Sequence, residues 1–311
     1  MTEEAKVKKQ AFGENFALYN VDNIDGIKGI PDDSVHFCIY SPPFSSMYCY
    51  NNSPRDLGNS NNDEEFYTHF IFLVKELYRV MMPGRDMSVH CMDLPKSKER
   101  DGIIGLKDFS GMLIRIMEDA GFVYHAKVCI WKNPVTAMQR TKAMGLLWKQ
   151  LKKDSSYSRQ GIPDYIITFR KPGLNPEPIT HKPEDYPVDK WQQIASPVWM
   201  DINQSNTLQR ESAREETDER HIAPLQLEVI ERCIELWSNP GDIVLDPFVG
   251  IGSSVYQALL MGRRGIGFEL KDSYYQQAVL NCKRAESDAK APQVGLDAWI
   301  GEKKAQTKLE V

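Results

Sequence analysis

Apolar residues follow two periodicities along this chain, and the two kinds of segment alternate. Short apolar runs bounded by proline, glycine or polar turns predict buried strands, whereas apolar positions every three to four residues predict helices. The predicted strands cover residues 35–40, 87–92, 122–131, 243–245 and 265–268, and the predicted helices cover 66–81, 111–120, 224–237 and 253–261. Strands that alternate with helices indicate an α/β fold with a doubly wound, mostly parallel, Rossmann-like sheet.

The middle of the chain departs from this alternation. It begins with a basic stretch at helical spacing, and from residue 172 it is rich in proline and charge, with Trp191 and Trp199. That composition is more typical of a loop-rich sub-domain than of sheet core. We therefore expect five segments: a flexible N-terminus (1–15), a first half-domain (16–132), an inserted region (133–220), a second half-domain (221–286) and a polar tail (287–311).

The distribution of charge is uneven. The formal net charge is −5, yet residues 125–171 contain ten lysines and arginines against two aspartates, a local excess of +8. A basic segment in an acidic chain predicts a localised face that binds a polyanion. The alternative is an ordinary solvated helix face.

Several classes of protein do not fit the composition. No run approaches the roughly 20 apolar residues that span a bilayer, and the first residues lack the apolar stretch of a secretory signal, so we expect no membrane contact and a cytoplasmic location. The six cysteines form no C-x-x-C pair, which predicts neither a disulfide framework nor a metal site. His90 and Cys91 lie inside a predicted strand, and we expect them to be structural.

A glycine-containing loop follows the strand at 243–245 and reads Asp246-Pro247-Phe248-Val249-Gly250-Ile251-Gly252-Ser253. Its glycines allow close approach to a ligand, and the N-terminus of the next helix offers unpaired N–H groups. Glu269 ends the following strand, where a carboxylate can accept hydrogen bonds from ribose hydroxyls. The third glycine of the dinucleotide fingerprint G-x-G-x-x-G is absent here, and Asp246 would repel a pyrophosphate. The loop therefore favours S-adenosylmethionine, with its amino and sulfonium groups, over NAD.

The tetrapeptide Ser41-Pro42-Pro43-Phe44 directly follows the first predicted strand. Consecutive prolines fix the backbone and remove N–H donors, leaving carbonyl oxygens as acceptors. The exocyclic amine of cytosine or adenine is a poor nucleophile, and acceptance of its protons by the Ser41 side chain and the Pro42 carbonyl would free its lone pair for in-line attack. Phe44 offers a stacking face for a base turned out of the duplex. A proline turn beside a core phenylalanine is the alternative.

Together these segments resemble the amino-DNA-methyltransferases over most of residues 16–285. In that family the Pro-Pro-aromatic motif is catalytic and D-P-F-x-G-x-G binds S-adenosylmethionine. The order found here, with 41–44 before 246–252, is similar to the permuted beta class of bacterial and phage enzymes, and Asp22 matches the acid that contacts adenine. The resemblance implies cofactor contacts from Asp22, Asp246, Pro247, Phe248, Gly250, Gly252, Ser253 and Glu269.

The target base is less well determined. Serine at the first catalytic position is more typical of N4-cytosine enzymes, so the sequence favours cytosine, but N6-adenine stays open because both amines need the same acceptors. Methylation at C5 of cytosine needs a cysteine nucleophile, usually in Pro-Cys, and this chain contains no Pro-Cys. A catalytically inactive DNA-binding module is the remaining alternative.

Residues 133–220 are the candidate target-recognition region, and duplex DNA is the expected partner. The resemblance leaves a homodimer open. Basic and amide side chains in and next to this region are suited to phosphates or to bracing the gap that a flipped base leaves. The expected DNA contacts are Lys132, Gln139, Arg140, Lys142, Lys149, Lys152, Lys153 and Arg159.

Overall fold

A mixed β-sheet with parallel central strands forms the centre of the molecule. The computed structural model describes residues 7–43, 63–136, 148–158, 160–184, 186–209 and 224–290. Within these ranges the sheet has the strand order β1-β2-β11-β10-β3-β4-β8-β7-β9. Its strands are β1 (Lys9–Phe12), β2 (Phe16–Asn20), β3 (Phe37–Tyr40), β4 (Asp86–Cys91), β7 (Val123–Ile130), β8 (Asp164–Arg170), β9 (Val198–Trp199), β10 (Ile243–Asp246) and β11 (Arg264–Phe268).

Strand direction creates a crevice at the middle of this sheet. Strands β2, β11, β10, β3 and β4 are mutually parallel. From β3 the chain continues to β4 on one side, and from β10 it continues to β11 on the other. Because these two connections leave β3 and β10 in opposite directions, a ligand crevice opens outside the carboxyl ends of the two strands. The predicted doubly wound α/β architecture is confirmed.

Helices cover both faces of the sheet. One face packs against α1 (Asn23–Ile27), α2 (Asp63–Val80) and α4 (Phe109–Asp119). The other packs against α6 (Val188–Ile194), α7 (Leu227–Trp237), α8 (Ser253–Leu260) and α9 (Asp272–Lys290). Because β3 is covered on both sides, all four of its side chains are apolar or aromatic and buried, rather than alternating with polar ones.

A small hairpin and short helical turns complete the described elements. Strands β5 (Leu94–Lys96) and β6 (Gly105–Lys107) pair with each other outside the main sheet, with α3 (Lys98–Asp101) between them. Helix α5 (Trp148–Leu151) and a 3₁₀ turn (Ser155–Tyr157) lie in the basic region. In the described part of the chain, no helix has the length and hydropathy needed to cross a bilayer.

Several elements differ from the prediction. Strand β8 lies inside the expected insertion, yet it pairs antiparallel with both β4 and β7 in the main sheet. The expectation that residues 172–220 stay outside the sheet core is wrong at β9, where Trp199 is 1% exposed. Edge strand β1 falls within the segment expected to be flexible, and α9 continues past the expected boundary at 286. The polar sequence of β1 hid it, because an exposed edge strand needs no apolar alternation.

Candidate active site

The two sequence motifs meet at one edge of the sheet. In the pairing of β3 with β10, Leu245 lies opposite Cys38. Asp246 follows Leu245 by one residue, and Ser41 follows Cys38 by three. The rings of Tyr40 and Phe248, one beside each motif, are 5.6 Å apart between centroids. Since parallel strands end at a common edge, Ser41-Pro42-Pro43 and the glycine loop lie at the same crevice.

Asp246, the last residue of β10, is a buried carboxylate with two local donors. Its Oδ1 accepts a hydrogen bond from the Phe248 N–H at 2.8 Å, and its Oδ2 accepts one from the Ser254 hydroxyl. Burial raises the pKa of Asp246 to about 7, although both hydrogen bonds act in the opposite direction. A buried carboxylate of this kind gains most from a neighbouring cation.

A second carboxylate, Glu269, stands at the end of β11. Backbone N–H groups orient both of its oxygens, that of Gly250 at 3.0 Å and that of Lys271 at 2.8 Å. Asn20, at the end of β2, donates to the Glu269 carbonyl oxygen at 2.8 Å and ties these two strand ends together. Asp22 follows β2 and caps α1, accepting from the N–H groups of residues 24 and 25.

The glycine loop owes its shape to three glycines. Gly250 and Gly252 have φ values of +54° and +96°, in the left-handed region that other residues avoid. Gly267 on β11 faces the loop, and a Cβ added there would lie 2.7 Å from a methyl group of Val249. The loop can therefore pack directly on β11, with the N-terminus of α8 behind it.

The chemistry of this edge fits S-adenosylmethionine. Carboxylates suit its ammonium, its sulfonium and its ribose hydroxyls, and Asp246, Glu269 and Asp22 supply three along neighbouring strands. Among the described residues, Asn20 Oδ1 and the Tyr40 hydroxyl are buried without a hydrogen-bond partner. Buried polar atoms of this kind normally have one. Their place at the ends of β2 and β3 is consistent with a polar ligand in the crevice.

The Ser41 hydroxyl contacts a histidine on the neighbouring strand. Oγ of Ser41 lies 3.1 Å from Nδ1 of His90, which is near the end of β4. Pro42 and Pro43 are buried beside it. Phe44 lies outside the described residues. The catalytic serine predicted from the sequence is thus held at a fixed place on the crevice edge.

His90 in turn contacts a buried acid. Its Nε2 lies 3.1 Å from Oδ2 of Asp164, the first residue of β8, and Lys132 binds the other oxygen of the same carboxylate. Burial raises the pKa of Asp164, but the charges and hydrogen bonds of Lys132 and His90 outweigh this effect and leave the pKa below its usual value. Because an ionised carboxylate can only accept, we infer that the neutral His90 ring carries its hydrogen on Nε2 and leaves Nδ1 as the acceptor.

Sequence reasoning missed two residues of this network. His90 was expected to be structural, and Asp164 was not singled out. The strand at Asp164 could have been predicted, since Tyr165-Ile166-Ile167-Thr168-Phe169 is a β-branched and aromatic run. Lys132 was expected to contact DNA, but its side chain is only 19% exposed and is paired with Asp164.

The other expected DNA contacts are distributed differently. Lys152 and Lys153 are exposed directly after α5, and Asp154 caps the 3₁₀ turn that follows. Four of the remaining predicted contacts lie outside the described residues: Gln139, Arg140, Lys142 and Arg159. Lys149 lies on α5, but its side chain is not among those described.

One group of possible metal ligands lies at the opposite, amino edge of the sheet. It consists of His36, Glu177 and Asp242. Nδ1 of His36 accepts from the Ile243 N–H at 3.2 Å, so Nε2 carries the hydrogen and faces Glu177 at 3.1 Å. The guanidinium of Arg85 already binds Asp242. These contacts form a hydrogen-bond network around the Arg85–Asp242 ion pair.

Comparison with known proteins shows the family. Residues 35–280 match the family of N6/N4 DNA methylases, described as DNA methylase. A type II methyltransferase of Methanocaldococcus jannaschii, M.MjaI, is 25% identical over 274 residues, covering 78% of this chain and 84% of that protein.

Solved structures share the fold. The PvuII DNA methyltransferase, which is cytosine-N4-specific, has a TM-score of 0.62 at 16% identity, covering 91% of this chain and 95% of that chain. A candidate DNA modification methylase of Thermus thermophilus, complexed with S-adenosyl-L-methionine, also has a TM-score of 0.62, at 23% identity, covering 85% of this chain and 93% of that chain.

A Rossmann-like sheet with a proline tetrapeptide and a glycine loop at its switch point defines a methyltransferase. The chain belongs to the N6/N4 DNA methylase family, because that family covers most of its length. It is an S-adenosylmethionine-dependent DNA methyltransferase that acts on an exocyclic amine.

Proposed function

We propose that the chain methylates N4 of a cytosine flipped out of duplex DNA at a specific sequence. The contact between the Ser41 hydroxyl and Nδ1 of His90, at 3.1 Å, carries this proposal. With its own hydrogen directed to His90, Ser41 Oγ keeps lone pairs for a hydrogen on the base amine. The Pro42 carbonyl would accept the other amine hydrogen.

The cofactor-binding residues follow from the same edge. Glu269 would accept from the ribose hydroxyls, Asp22 would contact the adenine, and Asp246 would face the amino acid end. Pro247, Phe248, Gly250, Gly252 and Ser253 would form the wall of the loop. S-adenosylmethionine, when bound there, supplies an electrophilic methyl group on a sulfonium.

The proton of the reacting amine has a defined route. As the nitrogen–methyl bond forms and the sulfur–methyl bond breaks, the amine must lose one hydrogen. Ser41 Oγ would take that proton while its own passes to Nδ1 of His90, and the Asp164 carboxylate would stabilise the resulting imidazolium. Proton transfer by positioned groups typically contributes 10²- to 10⁴-fold to a rate.

Serine rather than a carboxylate at position 41 is the basis for preferring cytosine. A serine hydroxyl is a neutral acceptor, and the His90–Asp164 pair supplies the basicity that a carboxylate at position 41 would carry itself. Adenine has the same kind of amine, so N6-adenine methylation is the competing outcome of the test below.

Identification of the methylated nucleoside tests the proposal. DNA from a host without methylases is incubated with protein and methyl-labelled S-adenosylmethionine, digested to nucleosides and separated by chromatography with mass detection. We expect label in N4-methylcytosine. Label in N6-methyladenine would overturn the choice of base, and binding of cofactor without labelled DNA would indicate an inactive module.

A matched pair of serine variants links the product to the site. Ser41→Ala removes the acceptor and is expected to lower the single-turnover rate by at least about 100-fold. The control is Ser34→Ala, because Ser34 precedes the amino end of β3 and its hydroxyl donates to the Pro31 carbonyl. This variant should leave the rate unchanged. Equal rates for the two variants would remove Ser41 from the mechanism.

A further inference from the structure

A small hairpin rises from the same sheet edge as the reactive serine. Strand β4 ends at Cys91, one residue past the His90 that contacts Ser41, and β5 begins at Leu94. Strands β5 and β6 pair only with each other, with Leu94 opposite Lys107. Three residues of strand extend about 10 Å, so the hairpin stays close to the edge at which β4 ends.

The base of the hairpin is fixed to the core. Leu94 is 3% exposed and belongs to the apolar cluster under α2 and α4. Asp93 Oδ1 accepts from the Ser110 N–H at 3.1 Å, at the start of α4. At the tip, the Ser97 N–H donates to Asp101 at 2.6 Å and closes the turn of α3. Both ends are therefore ordered by contacts of their own.

The hairpin carries a cluster of exposed aliphatic side chains. Ile103, Ile104 and Leu106 are 58%, 43% and 47% exposed and lie within four positions of one another. Lys96 ends β5 and Lys98 begins α3, which also contains Glu99 and Asp101. Clustered exposed apolar side chains mark an interaction surface, and the start of the hairpin next to His90 makes a substrate bound at this edge of the sheet the expected partner.

We propose that this hairpin is a second DNA-binding element, in which Ile103 and Ile104 fill space beside the flipped base and Lys96 and Lys98 contact phosphates. The inference rests on the proposed duplex substrate. DNA-bending proteins insert aliphatic side chains between base steps in this way, and lysine–phosphate contacts fix register.

Photo-crosslinking tests the contact without requiring catalysis. The photoreactive amino acid p-benzoylphenylalanine replaces Ile103 in one variant and Leu174 in a control. Leu174 is 92% exposed and follows the end of β8 that pairs with the start of β4, at the opposite edge of the sheet. Each protein is irradiated with an end-labelled duplex fragment from a methylase-free host. We expect a protein–DNA product at position 103 and none at 174.

Other crosslinking outcomes overturn the proposal. A protein–protein product at position 103 would assign the hairpin to a second copy. Equal DNA products at both positions would show unspecific contact, and no product, with wild-type DNA affinity retained, would place the hairpin away from DNA.

Kinetics on two substrates separate a wedge from a general binding surface. Ile103→Asn with Ile104→Asn is expected to lower kcat/KM for duplex DNA at least about tenfold, since the gap would be left unfilled. On single-stranded DNA, where no gap opens, the change should stay within about twofold to threefold. Leu174→Asn should change neither value, and cofactor affinity should stay constant throughout.

Equal losses on both DNA forms, or no loss on either, would contradict the wedge. If the variant with p-benzoylphenylalanine at position 103 crosslinks to DNA but the wild-type protein transfers no methyl group, the proposed function fails while the DNA-binding hairpin stands. If methyl transfer proceeds and the hairpin variants behave as wild type, the hairpin proposal alone fails.

Discussion

Asp164 and Lys132 form an ion pair beside His90, the histidine that contacts Ser41, with only 3% and 19% of their side chains exposed. Removing one partner of such a pair leaves an uncompensated charge in the protein. Asp164→Asn is therefore expected to lower the free energy of unfolding by about 2 to 4 kcal/mol, less than for a fully buried pair because Lys132 keeps some access to water. Urea denaturation measures the change.

The double variant separates stability from catalysis. Asp164→Asn with Lys132→Met removes both charges and should recover most of the lost stability. Methyl transfer should stay about 100-fold slower than wild type in both variants. The asparagine amide at position 164 can donate to Nε2 of His90 and so reverse the tautomer of the ring, and a neutral amide cannot stabilise an imidazolium. Recovery of the single-turnover rate together with stability would reduce Asp164 to a structural role.

Cofactor binding should depend on pH through Asp246. The pKa of this carboxyl is raised to about 7 by burial, so the free protein holds it mainly protonated below that value. A cationic ligand prefers the ionised form, and affinity should therefore fall by about tenfold per pH unit as the pH drops below 7. Titration calorimetry in buffers of different ionisation enthalpy should also detect proton release on binding at low pH.

Asp246→Asn is the control for that pH dependence. The neutral amide should bind S-adenosylmethionine weakly and with little change across the same pH range. Without ligand, the variant should be more stable than wild type above pH 7, because it no longer buries a charge there. An unchanged pH profile of binding would show that another group titrates.

The sequence contained the local parts of this site but not their connections. Ser41 and Asp246 could be predicted because each motif follows a buried strand whose apolar run is continuous in sequence. The contact of His90 with Asp164 joins positions far apart in the chain, and it depends on β8 pairing antiparallel with β4. Neither periodicity nor composition determines which strand lies beside which.

Burial also changed the interpretation of individual residues. Lys132 lies in a basic segment, so charge alone assigned it to DNA, whereas its position opposite Asp164 gives it a partner inside the protein. Trp199 stands in a segment rich in proline and charge, yet the pairing of β9 with β7 carries it into the core. Such outcomes depend on tertiary contacts that composition averages away.

The exposed lysines after α5 should contact phosphates. Lys152→Ala with Lys153→Ala is expected to weaken DNA binding across sequences and to reduce the slope of log affinity against log salt by roughly 1 to 2. Lys75→Ala with Lys283→Ala, exposed lysines on α2 and α9, removes the same charge elsewhere and serves as control. Fluorescence anisotropy over a salt series checks both. The same slope for both double variants would place Lys152 and Lys153 outside the interface.

Gly252 and Gly262 both have a positive φ, so alanine at each position separates the cost of backbone strain from the effect of moving the glycine loop. A Cβ at Gly252 would lie 3.2 Å from the Ala278 Cα on α9, whereas at Gly262, with φ +74°, it would meet nothing within 4 Å. Each alanine variant should lose about 1 to 2 kcal/mol of stability through the left-handed conformation. Only Gly252→Ala should also weaken cofactor binding, by about fivefold to tenfold, because relief of the contact moves the loop that faces the ligand. Calorimetry of both variants decides the matter, and equal cofactor affinities would show that the loop position at Gly252 does not control binding.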